Sequence, residues 1–507
     1  MGDPAATHHV RAPSAQRSLV TRTPVRLAAN PARVIATLFM PGEEMPEDNS
    51  RATAVIERVL ALNDDQVNAT LADLTTRFSR RHRRLEATFQ QHFDIIASRL
   101  GASVPQSQDR RLLRLLIGAY FSREESPEGT ALMSPSIVEH PDQTGLSPGE
   151  LRFVLSARAV GAGHVSYIEF RTGIIGNDGT IRIDDPGGLL ETGQPRPPVY
   201  ERDIFHAQLA EVGYDDDIAH LVLDSLGARF GKAALDQAVG ALDRHVLSRE
   251  DGRETVRWLD WVAANNYEVV FPEDTAIDER VLVPTGPTES HGIEDARFVR
   301  FVDDGAVTYY ATYTAYDGSH VVPQLLQTTD FRTFRAHQLS GPSAKNKGMA
   351  LFPRRIGGQY VSLSRWDREN SSVAVSDDGW AWGPPTTIHV PRHTWELIQV
   401  GNCGSPIETP AGWLVLAHGV GPMRTYAIGA TLLDLDDPLR VVATLPRPLI
   451  APPDDERDGY VPNVVYSCGA LVHGELMVLP YGFGDQAIGI ALVDMPELLN
   501  RLLSASH

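Results

Sequence analysis

Four segments of the chain share one layout: a polar or small-residue opening, a strand, a tight turn and a second apolar strand. They are GIEDARFVRFVDDGAVTYYATYTAY, KGMALFPRRIGGQYVSLSRW, GNCGSPIETPAGWLVLAHGVG and VPNVVYSCGALVHGELMVLPYGFGD. Aligned on the first residue of the second strand (Tyr309, Tyr360, Trp413 and Leu476), they recur at steps of 51, 53 and 63 residues. A fifth copy upstream, ALMSPSIVEHPDQTGLSPGELRFVLSARAVG, aligns on Phe153. Repeats of about 40 to 50 residues rich in short strands are the signature of a β-propeller, with one four-stranded sheet per blade. The expected fold is therefore mainly β, a five-bladed propeller.

The step from Phe153 to Tyr309 is much longer than the others, and a helical stretch from about Asp203 to Ala264 accounts for the surplus. An earlier stretch, from about Asn49, also carries apolar residues at three- and four-residue spacing. Both helical blocks fall before or inside the first blade, so they are expected to pack together as one α-helical subdomain beside the disc. The division that follows is a mobile segment over 1–30, rich in Pro, Ala and Arg, and a first helical part over 31–130. The first blade spans 131–200, a helical insertion 201–265, the remaining blades 266–498 and a C-terminal tail 499–507. The basic run RFSRRHRR reads as a solvated helix face.

A formal net charge of −19 argues against a nucleic-acid surface, which needs a basic footprint, and does not favour an anionic membrane. No run of about 18 apolar residues exists to span a bilayer. The opening MGDPAATHHVRAPSAQRS lacks an apolar signal core, so the expected location is cytoplasmic. Cys403 and Cys468 are too few for a disulfide framework and are not at zinc spacing. They are expected to be buried free thiols, and no metal site is expected.

In a propeller the inner strands converge on one axis, so equivalent positions form a ring. The fifth residue after each alignment point is Arg158, Thr314, Arg365, His418 or Tyr481. All five can hydrogen-bond, although each ends an apolar strand, and burying such groups without partners costs on the order of a few kcal/mol. A polar ligand pocket is the expectation. Two Arg and a His favour an anionic ligand, because guanidinium binds phosphate or carboxylate in two-point fashion. Glu294 and Asp295 open one blade at the channel. Strand alternation predicts that only one of them faces the pocket, while the other holds the blade together or pairs with Arg297. Asp485 lies just past the last ring position. Two carboxylates across a pocket suit a sugar or sugar-phosphate ligand and acid catalysis.

GIEDARF with YYATYTAYDG, KGMALFP with the following Arg365, GNCGSPIET with GWLVLAHGVGPMRTYAIGATLLDLDDP, and VPNVVYSCGA with YGFGDQAIGIA together resemble glycoside hydrolase family 130. That family comprises β-mannoside phosphorylases and β-mannosidases. The resemblance runs over about 281–495, extends to 131–185 and omits the helical blocks. It implies a five-bladed propeller, in agreement with the repeat count. It implies that Asp295 is the catalytic acid, protonating the glycosidic oxygen through a hydroxyl of the mannosyl unit. Arg158, Asp485 and Tyr426 match sugar-site positions, and Lys347, Arg365 and His418 match basic positions that bind phosphate. The family usually has Pro where this chain has Ala296, and its phosphorylases often carry a Lys where this chain has Gln399, which donates hydrogen bonds without charge.

The implied reaction is inverting phosphorolysis of a non-reducing β-mannoside to α-mannose 1-phosphate. Phosphate is the co-substrate, and no metal or organic cofactor is implied. One alternative is a hydrolase of the same family, for example a β-1,2-mannosidase, which needs a carboxylate base such as Glu289, Asp317 or Glu369. Another is a non-catalytic glycan-binding propeller. The helical subdomain suits either a cap over the pocket or a homo-oligomer contact.

Overall fold

The computed structural model describes residues 18–41, 50–100 and 110–505. Its architecture is mainly β. Five sheets of four or more strands, mostly antiparallel, follow one another along the chain. The first is built on Ala131–Glu139, Leu151–Val160 and Ser166–Ile175. The second is built on Gly292–Asp303, Ala306–Tyr316, Val321–Thr328 and Thr333–Gln338. The third comprises Ala350–Leu351, Tyr360–Ser364, Ser371–Ser376 and Thr386–His389. The fourth contains Gln399–Asn402, Gly412–Val420, Tyr426–Leu433 and Val441–Thr444, and the fifth Val465–Tyr466, Leu476–Phe483 and Ala487–Asp494. Each repeat seen in the sequence is the start of one sheet.

The second strand of each repeat is apolar on both faces because each face meets a different core. In Gly412–Val420, Trp413 and Val415 pack with Val361 and Leu363 of the third sheet. Leu414 and Leu416 pack with Met477 and Leu479 of the fifth. Successive side chains on a strand point to opposite faces, so a continuous apolar run is what a strand between two cores requires. The same pairing recurs elsewhere. Val154 and Phe170 of the first sheet join Phe298 and Ala311 of the second. Val299 and Phe301 of the second join Leu351 and Ala374 of the third. Val478 and Ile488 of the fifth join Ile137 and Leu155 of the first. Each sheet thus shares a core with two others, in the order first to fifth and back to first.

Three expectations are corrected. Of the segment 1–30 expected to be mobile, residues 1–17 lie outside the described residues. Val20–Ala28 is instead a strand that pairs antiparallel with Ala487–Asp494 and completes the fifth sheet. The expected tail 499–507 is mostly the end of a helix, Met495–Ser504, whose Leu498 and Leu502 are fully buried. Residues 506–507 lie outside the described residues. The two helical blocks do not share a core. Ser50–Leu60, Asp64–Phe78, Leu85–Leu100 and Arg111–Tyr120 enclose Ile56, Phe93, Ile96 and Leu116. Arg202–Glu211, Asp217–Asp224, Lys232–Gly240 and Glu250–Ala264 enclose Phe205, Leu209, Val222 and Leu259.

The blocks are also anchored at different places. In the basic run of the first block, Arg83 pairs with Glu279 and Arg84 with Glu191, so two of those charges fasten the helices to the β part. In the second block, Gln208 donates to the carbonyl of Gln338 at 2.6 Å, at the end of the second sheet's strand Thr333–Gln338. Cys403 and Cys468 are buried free thiols, as expected. Among the described residues no helix is long and apolar enough to cross a membrane.

Candidate active site

The chemistry-bearing residue of the GIEDARF motif owes its position to a break in strand regularity. In Gly292–Asp303 the pairing register shifts between Glu294 and Arg297, a β-bulge. Asp295 sits in that bulge with φ +55°, a left-handed conformation that Asp and Asn adopt more readily than other non-glycine residues. The first sheet repeats the device. Its register shifts between Met133 and Ser136, with Ser134 at φ +48°. Bulges re-aim side chains, and here both bulged residues face one cavity.

That cavity, of about 200 Å³, is lined by Arg158, Asp295, Lys347, Arg365, His418, Tyr426 and Asp485, the seven residues given catalytic, sugar or phosphate roles by the resemblance, together with Gln399. Residues separated by more than 300 positions in the chain meet because every sheet contributes a strand end. Ser134, Arg424, Val464 and Tyr466 also line it and were missed. Arg424 had a signal. GPMRTY repeats the GAGHVSY turn of the first sheet, with positive φ at Met423 and Arg424 as at Gly163 and His164. Tyr466 and Ser134 carry no signal short of the bulges and the register.

The two other ring positions do not reach the cavity. Tyr481 points into the core between the fourth and fifth sheets, where its hydroxyl donates to Glu456 at 3.0 Å. Met477 and Leu479 share that core, so the last sheet is one residue out of step with the alignment, and a one-residue offset sends a side chain to the opposite face. Gly482 is the residue that comes close to the site: a Cβ there would lie 3.3 Å from the Ser134 nitrogen. Thr314 is buried opposite Glu294 in the register and is not part of the cavity wall.

The bulge also changes the expected division of labour between the paired carboxylates. Glu294 accepts from Arg158 Nη2 at 2.7 Å and from Lys347 Nζ. It therefore holds two of the cavity's cations in place. Arg297, fully buried, donates to the backbone oxygen of Asp295 at 3.0 Å and to the Tyr466 hydroxyl at 2.6 Å, so it fixes the bulge itself and does not pair with a carboxylate. The Asp295 carboxylate is left with Oδ1 3.7 Å from Arg158 Nη1 and without a hydrogen-bond partner on that oxygen.

Electrostatics divide the two aspartates. Burial raises the proton affinity of Asp295, but the charges of Arg158, Arg297 and Lys347 outweigh it, and its pKa lies below the usual 3.8. Asp485 has its pKa raised to about 6, first by burial and then by the negative charge of Asp295, against Arg158 and Arg424. One carboxyl is ionised and its neighbour titrates near neutrality, a separation that marks functional carboxylate pairs. His418 departs from the expectation of a basic position. Burial first, then the Arg365 and Arg297 charges, hold its pKa well below 6.5. Its Nε2 accepts from Arg365 Nη1 at 3.0 Å, as only an unprotonated imidazole nitrogen can. His418 is neutral and orients Arg365. Lys347, Arg365 and Arg424 supply the positive charge. Tyr426 stacks parallel to the His418 ring at 6.0 Å.

Of the three carboxylates considered as hydrolytic bases, none reaches the cavity. Glu289 is fully buried and binds Tyr267, Tyr313 and the amides of Thr285 and Gly286. Asp317 caps a turn at Ser319 and His320, and Glu369 is exposed outside the wall.

A family model described as beta-1,4-mannooligosaccharide phosphorylase, glycoside hydrolase family 130, matches residues 271–503. The chain is 34% identical over 227 residues to a 1,2-beta-oligomannan phosphorylase of Thermoanaerobacter sp. (strain X514), spanning 44% of this chain and 75% of that protein. It is 35% identical over 225 residues to a beta-1,2-mannobiose phosphorylase of the same organism, spanning 44% and 73%. Among solved structures, the beta-1,2-mannobiose phosphorylase from Listeria innocua covers 75% of this chain and 93% of its own at 21% identity, with a TM-score of 0.45. With matches of this extent to the curated phosphorylases, the chain belongs to glycoside hydrolase family 130.

Proposed function

We propose that the protein is an inverting β-mannoside phosphorylase whose five sheets are the blades of a propeller around the catalytic cavity. The cycle of shared cores supports the propeller, because each sheet packs on two neighbours and the fifth packs on the first. The observation that carries the activity is one cavity holding Asp295 and Asp485 together with Lys347, Arg365 and Arg424. Phosphate binds between Lys347 and Arg365, with the neutral His418 holding the guanidinium in place. Arg158 and Asp485 hold hydroxyls of the terminal mannosyl unit, with Tyr426 beside them.

An oxygen of the bound phosphate forms a bond to the anomeric carbon as the bond from that carbon to the leaving sugar's oxygen breaks. The leaving oxygen takes a proton that originates on Asp295, and the products are α-mannose 1-phosphate and the shortened acceptor. Before phosphate binds, the charges of Arg158, Arg297 and Lys347 keep Asp295 ionised. A phosphate dianion beside Lys347 offsets part of that charge, so Asp295 gains its proton as phosphate binds. Hydrolysis is the weaker reading because, among the described residues, the wall has no carboxylate beyond Asp295 and Asp485 to activate water. Two buried free thiols fit a reducing compartment such as the cytoplasm.

The test is incubation with β-1,2-mannobiose with and without phosphate, the linkage being chosen from the relatives' names. Mannose 1-phosphate formed only with phosphate supports the proposal. Free mannose at equal rates in both reactions overturns it in favour of hydrolysis. No turnover of any β-mannoside leaves a glycan-binding module.

A further inference from the structure

The helical insertion lies outside the family match, and it carries a cluster of side chains that the catalytic cavity does not use. His206 sits on the helix Arg202–Glu211, His220 on the helix Asp217–Asp224, and Asp215 on the turn between them. His206 Nε2 lies 2.6 Å and His220 Nε2 2.9 Å from the same oxygen, Asp215 Oδ1. The two imidazole rings are 4.9 Å apart, and the three donor atoms lie within 4.8 Å of one another. We propose that His206, Asp215 and His220 form a divalent transition-metal site that takes Zn²⁺, with solvent completing the coordination.

The donor set fits this ion. Two imidazoles and one carboxylate are borderline ligands suited to zinc and poorly matched to magnesium or calcium, which prefer all-oxygen shells. Zinc bonds these atoms at about 2.0–2.2 Å, which in a tetrahedral shell separates neighbouring ligand atoms by about 3.3–3.6 Å. The two Nε2-to-Oδ1 separations need open by about 1 Å or less, and the three side chains are about two-fifths exposed, so they have room to turn.

The scaffold is fixed on every side. Phe205 and Leu209 bury one face of the first helix, and Ala219, Val222 and Leu223 bury one face of the second. Before Asp215, Tyr214 stacks on Trp258 at 5.1 Å. After it, Asp216 caps the second helix, accepting from the amides of Ile218 and Ala219 at 3.0 and 2.8 Å, and takes a hydrogen bond from Thr255. Ligands presented by rigid elements lose little entropy on binding.

The proton count is also simple. With Asp215 accepting from both rings, each Nε2 carries its hydrogen. Metal binding needs the Nε2 lone pair, so each ring gives up that hydrogen and keeps one on Nδ1. The bound ion would tie the two helices across their turn and stiffen the insertion.

The test uses the full chain without an affinity tag, stripped with a chelator and then given Zn²⁺. After desalting, elemental analysis is expected to find about one zinc per chain, and Mg²⁺ is expected not to bind. Losing even outer-shell partners of a metal site costs 10–100-fold in affinity, so His206→Ala and His220→Ala should each weaken zinc binding about tenfold or more. Zinc should raise the thermal midpoint of the parent protein and leave that of the double variant unmoved. Both histidines are exposed enough for the variants to fold, which circular dichroism checks. Zinc retention that is absent in the parent, or unchanged in the double variant, overturns the site. Neither result bears on phosphorolysis, which is assayed separately.

Discussion

Asp485→Asn is expected to make the protein more stable while impairing turnover. The Asp485 carboxyl has a pKa raised from 3.8 to about 6. A carboxyl whose folded pKa is raised favours folding while protonated and opposes it once ionised. Its penalty is absent below about pH 4, grows between about 4 and 6 as the unfolded chain releases the proton first, and is complete above about 6. A rise of this size corresponds to about 3 kcal/mol between the two protonation states, and about 2 kcal/mol after allowance for solvent reaching a half-buried group. Asn keeps the shape and removes the charge. The variant should therefore gain about 2 kcal/mol at pH 7.5 and less than about 1 kcal/mol at pH 4.5. Denaturation of both proteins at the two pH values measures the difference directly. A variant no more stable than the parent at pH 7.5, or equally stabilised at both pH values, would refute the assignment of the raised pKa to this side chain.

Three further outcomes follow from the same geometry. Asp295→Asn keeps a residue that tolerates φ +55°, so the fold should survive while turnover drops by about 10²–10⁴, the usual contribution of a proton donor; a rate close to that of the parent removes Asp295 from its role. Arg365→Ala should raise the KM for phosphate about tenfold or more with a much smaller effect on the KM for mannoside, as initial rates at varied phosphate will show. Arg33 is fully buried among Glu128 at 2.9 Å, Glu169 at 3.2 Å and three backbone carbonyls, so Arg33→Ala should destabilise by about 3–5 kcal/mol, read as a lowered thermal midpoint.

The repeat was legible because a strand between two cores must be apolar on both faces, and five such runs with polar openings stand out in any sequence. The site was legible for a related reason: Arg158, Arg365 and His418 are polar endings on apolar strands and occupy equivalent positions. What the sequence conceals is register. Alternation assigns Glu294 and Asp295 to opposite faces, but the bulge at Asp295 brings both carboxylates to the same cations. A one-residue offset likewise turns Tyr481 into the core.

Charge state was hidden too. His418 reads as basic by composition and is neutral because burial and two guanidinium groups act on it together. The helical blocks show their periodicity plainly, but nothing in the periodicity says which partner their apolar faces meet. Each closes on its own core.

The central claim is that phosphate, attacking the anomeric carbon, and Asp295, supplying the proton to the leaving oxygen, act on one glycosidic bond in a single displacement. The most direct measurement is nuclear magnetic resonance of the first-formed sugar product from β-1,2-mannobiose and phosphate, before any anomer equilibrates. The account predicts α-mannose 1-phosphate from the parent protein, formed about 10²–10⁴ times more slowly by Asp295→Asn. First-formed β-mannose 1-phosphate, or free mannose in its place, would contradict it.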